Sequence, residues 1–223
     1  MAPNPPAGAA PPTASPRPRR AVRLVVPKKA EPDVTPAPYA DRVTLVWLTG
    51  NSGAGKSTVC EVLRARGYLA LDADGDGFCR WIDRANGEVV ATPPDPVPRG
   101  WLDRYGWMIV RERVEALAEE SRGRLAFLCG SAENEPDVLH LFDQIVCLVI
   151  DENTLRHRLA TRTTNTFGRH PEELAAALKW NPRMPGLYEG LGATVLDASR
   201  PLNEVTDRVI EAAQGPAGAT RTR

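Results

Sequence analysis

Cysteine is scarce in this chain: four in 223 residues, at Cys60, Cys79, Cys129 and Cys147, with no C-x-x-C pair. Neither a disulfide framework nor a zinc cluster follows from that spacing, and the three histidines are equally scattered, so buried free thiols are expected. Long apolar runs are missing too. Nothing approaches the ~18 to 20 consecutive apolar residues that span a bilayer, and the N-terminus lacks the apolar region of roughly 7 to 15 residues found in a secretory signal. A cytoplasmic protein without membrane attachment is expected. Net charge is absent as well, with 28 basic side chains against 28 acidic ones, which argues against a general nucleic-acid binder. The one basic run, Arg17, Arg19, Arg20, Arg23, Lys28 and Lys29, precedes the first acid, Glu31, and reads as a solvated tail.

What is present divides into three parts. Residues 1–38 are dense in Pro, Ala and Arg without hydrophobic periodicity and read as a disordered leader, with 22–26 able to add at most an edge strand. Residues 39–214 form one globular domain, and 215–223 a flexible tail. Within the domain, apolar runs alternate with helical patterns, the signature of an α/β fold around a parallel sheet. Strands are expected over 43–48, 68–71, 124–129, 145–150 and 194–196. Helices are expected from the glycine turn to 66, over 78–84, 101–120, 153–162, 171–180 and 202–213.

The stretch GNSGAGKST, residues 50–58, satisfies G-x-x-x-x-G-K-S/T between an apolar strand and a helix. Glycines let successive backbone N–H groups turn into one concavity, and the positive end of the helix adds to it, so a polyphosphate fits. Gly50, Asn51, Ser52, Gly53, Ala54, Gly55, Lys56, Ser57 and Thr58 are the candidate ATP-binding residues. Lys56 reaches the outer phosphates and the Ser57 hydroxyl holds Mg²⁺.

LDADGDG places Asp72, Asp74 and Asp76 just past the second strand, at the carboxyl edge where ligands bind. Asp74 is the candidate for orienting an acceptor hydroxyl, Asp72 the candidate second catalytic acid and Mg²⁺ ligand, and Asp76 a turn residue. CLVIDE imitates the acid-tipped strand of a motor ATPase, but Asp151 is followed at once by NTLRHRLATR and is expected to cap that helix. The guanine-reading N-K-x-D is absent. Arg156, Arg158 and Arg162, with Arg169 beyond, supply guanidiniums suited to bidentate phosphate contacts on a closing flap.

In this order, GNSGAGKST, LDADGDG, RLATR and LDASRPLNEVTDRVIEA resemble the small P-loop kinases, the nucleoside and nucleotide kinase superfamily that includes adenylate, shikimate and gluconate kinases. The resemblance spans about residues 43–213 and implies a three-layer P-loop NTPase fold with a five-stranded parallel sheet, a short acceptor-binding region and an arginine lid. It also implies that Arg158 packs on adenine, that the catalytic Arg162 contacts phosphates, and that Ala198, Arg200 and Pro201 border the base. Cys129-Gly130-Ser131 stands where shikimate kinases carry a glycine run, and the arginine pattern of monophosphate kinases is missing.

For the acceptor, Trp81, Trp101 and Trp107, three of five tryptophans, offer ring-stacking faces. Arg80, Ser131, Glu133 and Asn134 offer polar contacts at the same rim. Arg80, Arg84, Arg99 and Arg104 keep a phosphate-bearing acceptor open. The expected activity is ATP- and Mg²⁺-dependent phosphorylation of a small hydroxylated metabolite by a monomer or homodimer. A nucleoside or sugar-like compound, antibiotics included, fits best; the alternatives are a nucleoside monophosphate kinase and a non-catalytic regulatory ATP-binding protein.

Overall fold

The computed structural model describes residues 44–91, 94, 97–163 and 167–215; the leader, the edge strand considered for 22–26 and residues 216–223 lie outside the described residues. Strand β1 (Thr44–Gly50) forms the centre of a five-stranded parallel sheet. β2 (Leu69–Asp72) and β6 (Leu125–Cys129) lie on one side of it, β7 (Gln144–Val149) and β8 (Thr194–Asp197) on the other, in the order β2-β6-β1-β7-β8. Side chains on β1 alternate between the two faces, as a strand buried on both sides requires. Val46 and Leu48 pack toward α1 (Lys56–Ala65), α4 (Glu152–Thr161), α5 (Pro171–Trp180) and α7 (Leu202–Gln214). Leu45 and Trp47 pack toward α3 (Arg111–Glu120) and α6 (Met184–Gly190). This is the expected three-layer α/β fold.

Between β2 and β6 the structure corrects the sequence reading. The helix expected over 78–84 is strand β3 (Cys79–Asp83), and the helix expected over 101–120 is three elements: α2 (Trp101–Arg104), β5 (Tyr105–Ile109) and α3. With β4 (Val89–Val90) they make a second, antiparallel sheet in the order β4-β3-β5. Aromatic and β-branched residues favour a strand once a partner is available, and here Trp81 pairs with Trp107 and Ile82 with Gly106. A side chain at Gly106 would put its Cβ 2.4 Å from Met108 Cε, so the Met108 side chain would have to swing aside to admit one. Helix α6 was not anticipated.

The four cysteines are free and buried, as expected. Burial pushes the Cys147 thiol up to about 12, which leaves it unreactive. Among the described residues no helix is long and apolar enough to cross a membrane.

Candidate nucleotide and acceptor site

β1 delivers the chain to Gly50, whose φ is 147° and whose absent Cβ would lie 2.4 Å from the Leu148 carbonyl oxygen. Only glycine lets the loop leave the sheet at this point. The loop then turns on Ala54 N–H to Asn51 O (3.0 Å) and enters α1 at Lys56. Asn51 braces it: its Oδ1 accepts from Ser52 N (2.9 Å), while its Nδ2 donates to Ala177 O (2.8 Å) and Asn181 Oδ1 (3.2 Å). Asn181 in turn donates to Ile150 O (2.8 Å), which ties the cradle to the end of β7.

Lys56 folds back over the loop, donating to Gly50 O (2.8 Å) and Asn51 O (3.0 Å). Burial pulls its pKa down, opposed first by the charge of Asp74, then by Glu135 and Asp72. A cleft of about 420 Å³ opens in front, lined by the loop from Ser52 to Thr58 and by Val59, Asp74, Ser131, Arg158, Thr161, Arg162, Ala198, Arg200, Leu202 and Val205. Thirteen residues chosen from sequence therefore meet in one concavity: Ser52, Gly53, Ala54, Gly55, Lys56, Ser57, Thr58, Asp74, Ser131, Arg158, Arg162, Ala198 and Arg200. Gly50, Asn51 and Pro201 stand behind it, shaping the backbone. Val59, Thr161, Leu202 and Val205 carried no sequence signal; Val59 on α1 and Leu202 and Val205 on α7 supply an apolar margin, and Thr161 ends α4.

Both candidate lid arginines reach the cradle. Arg158 donates to Ala54 O (3.1 Å) and Ala198 O (2.9 Å), bridging the loop to the end of β8. Arg162, the C-cap of α4, donates to Ser52 Oγ (3.1 Å) and to Phe167 O, while its Nε is buried without a partner among the described residues. Burial lowers its pKa, against the opposing charge of Glu173. Arg156 instead pairs with Glu152 on the helix surface, and Asp151 caps α4 as expected, accepting from Thr154 N at 2.9 Å.

On the opposite rim, Trp107 Nε1 donates to Asp74 Oδ1 at 2.9 Å. Burial raises the Asp74 pKa, with Lys56 and the indole N–H opposing it, although part of the residue stays open to solvent. Asp72 is more occupied than expected: its Oδ1 accepts from Asp74 N (3.0 Å) and Gly75 N (2.9 Å), so it shapes the turn and stays outside the cleft lining. Asp76 accepts from Asp72 N (2.8 Å) and pairs with Arg64, the turn role expected of it.

Glu133 and Asn134, expected to contact an acceptor, instead pair the outer edge of β5. Glu133 accepts from Trp107 N (3.2 Å) and pairs with Arg84. Asn134 accepts from Ile109 N (2.7 Å) and donates to Ile109 O (3.2 Å). An unpaired strand edge needs such partners, and the polar segment after β6 supplies them. Arg80 is exposed on β3 opposite Met108, one position out of phase with Trp81, so its side chain leaves the sheet on the face away from Trp81 and Trp107. The three tryptophans do assemble. Trp81 lies 4.7 Å from Trp101 and 5.2 Å from Trp107 between ring centroids, and Trp101 lies 4.5 Å from Tyr105.

Comparison with known proteins now bears on this geometry. The family model described as AAA domain matches residues 46–177, more than half of the chain. The chain belongs to the AAA domain family. Over 62 residues it is 45% identical to the dephospho-CoA kinase of Deinococcus radiodurans, a match that covers 26% of this chain and 29% of that protein. The chain thus matches under a third of the length of that curated relative. Among solved structures it is similar to an unliganded sugar kinase from Janibacter sp. HTCC2649 (20% identity, 81% of this chain and 100% of that one, TM-score 0.49). It is also similar to the shikimate kinase of Aquifex aeolicus (16% identity, 79% and 100% covered, TM-score 0.48) and to a gluconokinase of Sinorhizobium meliloti (17% identity, 77% and 92% covered, TM-score 0.44).

The matched span includes the cradle, Asp74 and the helix that carries Arg158 and Arg162. One group beside its cradle escaped the sequence reading. Glu135, 5% exposed, accepts from Thr49 Oγ1 (3.2 Å), Ala132 N (3.0 Å) and Tyr188 OH (2.5 Å). Thr49 is the residue before Gly50, so this buried carboxylate links the end of β1 to α6. Burial pushes the Tyr188 phenol up, and the neighbouring Glu135 charge adds to that.

Proposed function

We propose that this protein transfers the terminal phosphoryl group of ATP to a hydroxyl of a small metabolite, a nucleoside or sugar-like ring compound, with antibiotics of that build included. The observation that carries the reading is Asp74: a carboxylate held by the Trp107 indole on the acceptor rim of the cleft that Lys56 and Arg162 line from the other side. Lys56 and the loop amides hold the outer phosphates, and the unpaired Arg162 Nε finds a partner in a phosphate oxygen. Asp74 accepts the acceptor's hydroxyl hydrogen and aims the oxygen. Arg158 and the backbone at Ala198, Arg200 and Pro201 border the base.

A magnesium ion, when bound, neutralises phosphate charge. Among the described residues no group of three or more metal-ligating side chains exists, which suits an ion held mainly by phosphates and water, with Ser57 as its protein ligand and Asp72 behind. Four free thiols suit a reducing compartment, and the proposal places the protein in the cytoplasm, acting as a monomer or homodimer without a nucleic-acid partner.

The match to a dephospho-CoA kinase favours a second reading, in which the acceptor already carries phosphate. One screen tests both: nucleosides, sugars, their phosphates and dephospho-CoA are offered with ATP and Mg²⁺, and acceptor-dependent ADP release is measured. Lys56→Ala should abolish release, and Asp74→Asn should lower it by about 10²- to 10⁴-fold while ATP affinity survives. If no acceptor stimulates ADP release, the protein is a nucleotide-binding regulator; if Asp74→Asn keeps full turnover, Asp74 does not orient the acceptor.

A further inference from the structure

The acceptor side of the cleft has a charge character that narrows the substrate. Resting on the phosphotransferase reading above, we infer that the acceptor is an uncharged hydroxyl-bearing ring, and that compounds carrying a phosphate or carboxylate are rejected.

Three arginines of the acceptor region have partners within the protein, and a fourth, Arg99, is 94% exposed beside Glu172 and is not among the residues lining the cleft. Arg84 pairs with Glu133 and donates to Leu102 O at 2.7 Å. Arg104 makes two hydrogen bonds to Asp83 Oδ2, at 3.0 and 2.7 Å, on a carboxylate that is 6% exposed. Arg113 lies 4.9 Å over the Phe78 ring and donates to Asp76 O at 3.0 Å. Arg99 lies 3.6 Å from Glu172 on α5. Arg80, the remaining candidate, leaves β3 on the face opposite Trp107. The internal residues outside the described set, 92, 93, 95, 96 and 164–166, include neither Lys nor Arg; the basic residues outside it lie in the two termini.

Among the described residues, the cations that line the cleft are Lys56, Arg158, Arg162 and Arg200. They belong to the cradle, α4 and the β8–α7 junction, where a triphosphate lies. Facing them across the cleft are Asp74, with Asp72 behind it, and Ser131; the Trp107 indole, outside the cleft lining, holds Asp74 from its far side. An anion seated here would lose hydration beside a carboxylate and gain no cation in return. A neutral ring meets neither penalty: one hydroxyl reaches Asp74 while the ring lies against half-buried Trp107, with Trp81 and Trp101 stacked behind. Exclusion of anions is therefore part of how this site selects.

The full-length protein is tested with matched pairs differing in one anionic group: uridine and uridine 5′-monophosphate, glucose and glucuronate, inositol and inositol monophosphate. Two readouts are taken, ADP release with ATP and Mg²⁺, and tryptophan fluorescence with ADP and Mg²⁺, which needs no turnover. At least one pair should favour its neutral member by roughly tenfold or more in kcat/KM and in fluorescence affinity. Glu133→Gln, which frees Arg84 while keeping an acceptor for the Trp107 N–H, should narrow that gap. Anionic members that bind as well or better, or a fluorescence signal that no neutral ring elicits, overturn the inference. A neutral ring that binds without being phosphorylated sinks the phosphotransferase reading and leaves the charge preference standing; an anionic acceptor that is phosphorylated does the reverse.

Discussion

Trp107 gives Asp74 its one side-chain donor among the described residues, and that indole comes from a strand 33 residues further along the chain. The contact does two things. It fixes the carboxylate's direction, and it contributes to holding the charged form against the burial that raises its pKa. Trp107→Phe keeps the ring for packing on Trp81 but removes the N–H. Turnover with the best acceptor should fall by roughly tenfold, with the KM for ATP unchanged, because the lost bond orients the acceptor and touches no phosphate. Steady-state kinetics decides it. An unchanged kcat would mean that Asp74 is held by something other than the indole.

Two elements can be tested by what their ends require. Asp151 caps α4 with hydrogen bonds from Thr154 N and Thr154 Oγ1, and these bonds lower its pKa. A carboxyl with a lowered folded pKa adds stability that is fully present above its unfolded value of about 3.9 and is lost as pH falls through the folded value. Asp151→Ala should therefore lower the melting temperature at neutral pH, and the difference from wild type should shrink on acidification below about pH 4. The Glu135 network makes a larger demand, since Glu135→Ala strands three buried donors, from Thr49, Ala132 and Tyr188. A loss of about 2 to 5 kcal/mol is expected by denaturant unfolding, against roughly 1 for Tyr188→Phe. These elements also show where sequence is legible. The cradle and the α4 cap could be read because their residues are neighbours in the chain, with conformations set by local sterics and local hydrogen bonds. β3 and β5 could not, because Phe78, Trp81 and Ile82 recur at helical spacing, and Trp81 and Ile82 enter a strand through pairing with β4 and with β5, the latter more than twenty positions away. Glu135 and Asn181 were invisible for the same reason: their partners on β1 and in the loop lie 86 and 130 residues distant. Helix α6 was concealed by Pro185, Gly186 and Gly190, which its packing against β7 and β8 overrides.

At the scale of the whole molecule, the cleft adds polar ties between parts that the core already packs together. Arg158 links α4 to the loop and to the end of β8, Asn51 links the loop to α5, and Lys56 occupies the loop carbonyls. A triphosphate that draws Lys56 and Arg162 onto itself adds contacts between these layers, so binding should stabilise the entire domain and not the loop alone. Linkage sets the size: at a hundredfold excess over Kd the gain is about 2.7 kcal/mol, provided the unfolded chain binds nothing. Differential scanning fluorimetry with ATP and Mg²⁺ should show one cooperative transition moving upward, and Lys56→Ala should abolish the movement. A chain shortened to residue 39 onward should show the same shift as the full-length protein, because the described residues lining the cleft all lie between Ser52 and Val205. A smaller shift in the shortened chain would assign the Pro- and Arg-rich leader a part in holding the nucleotide.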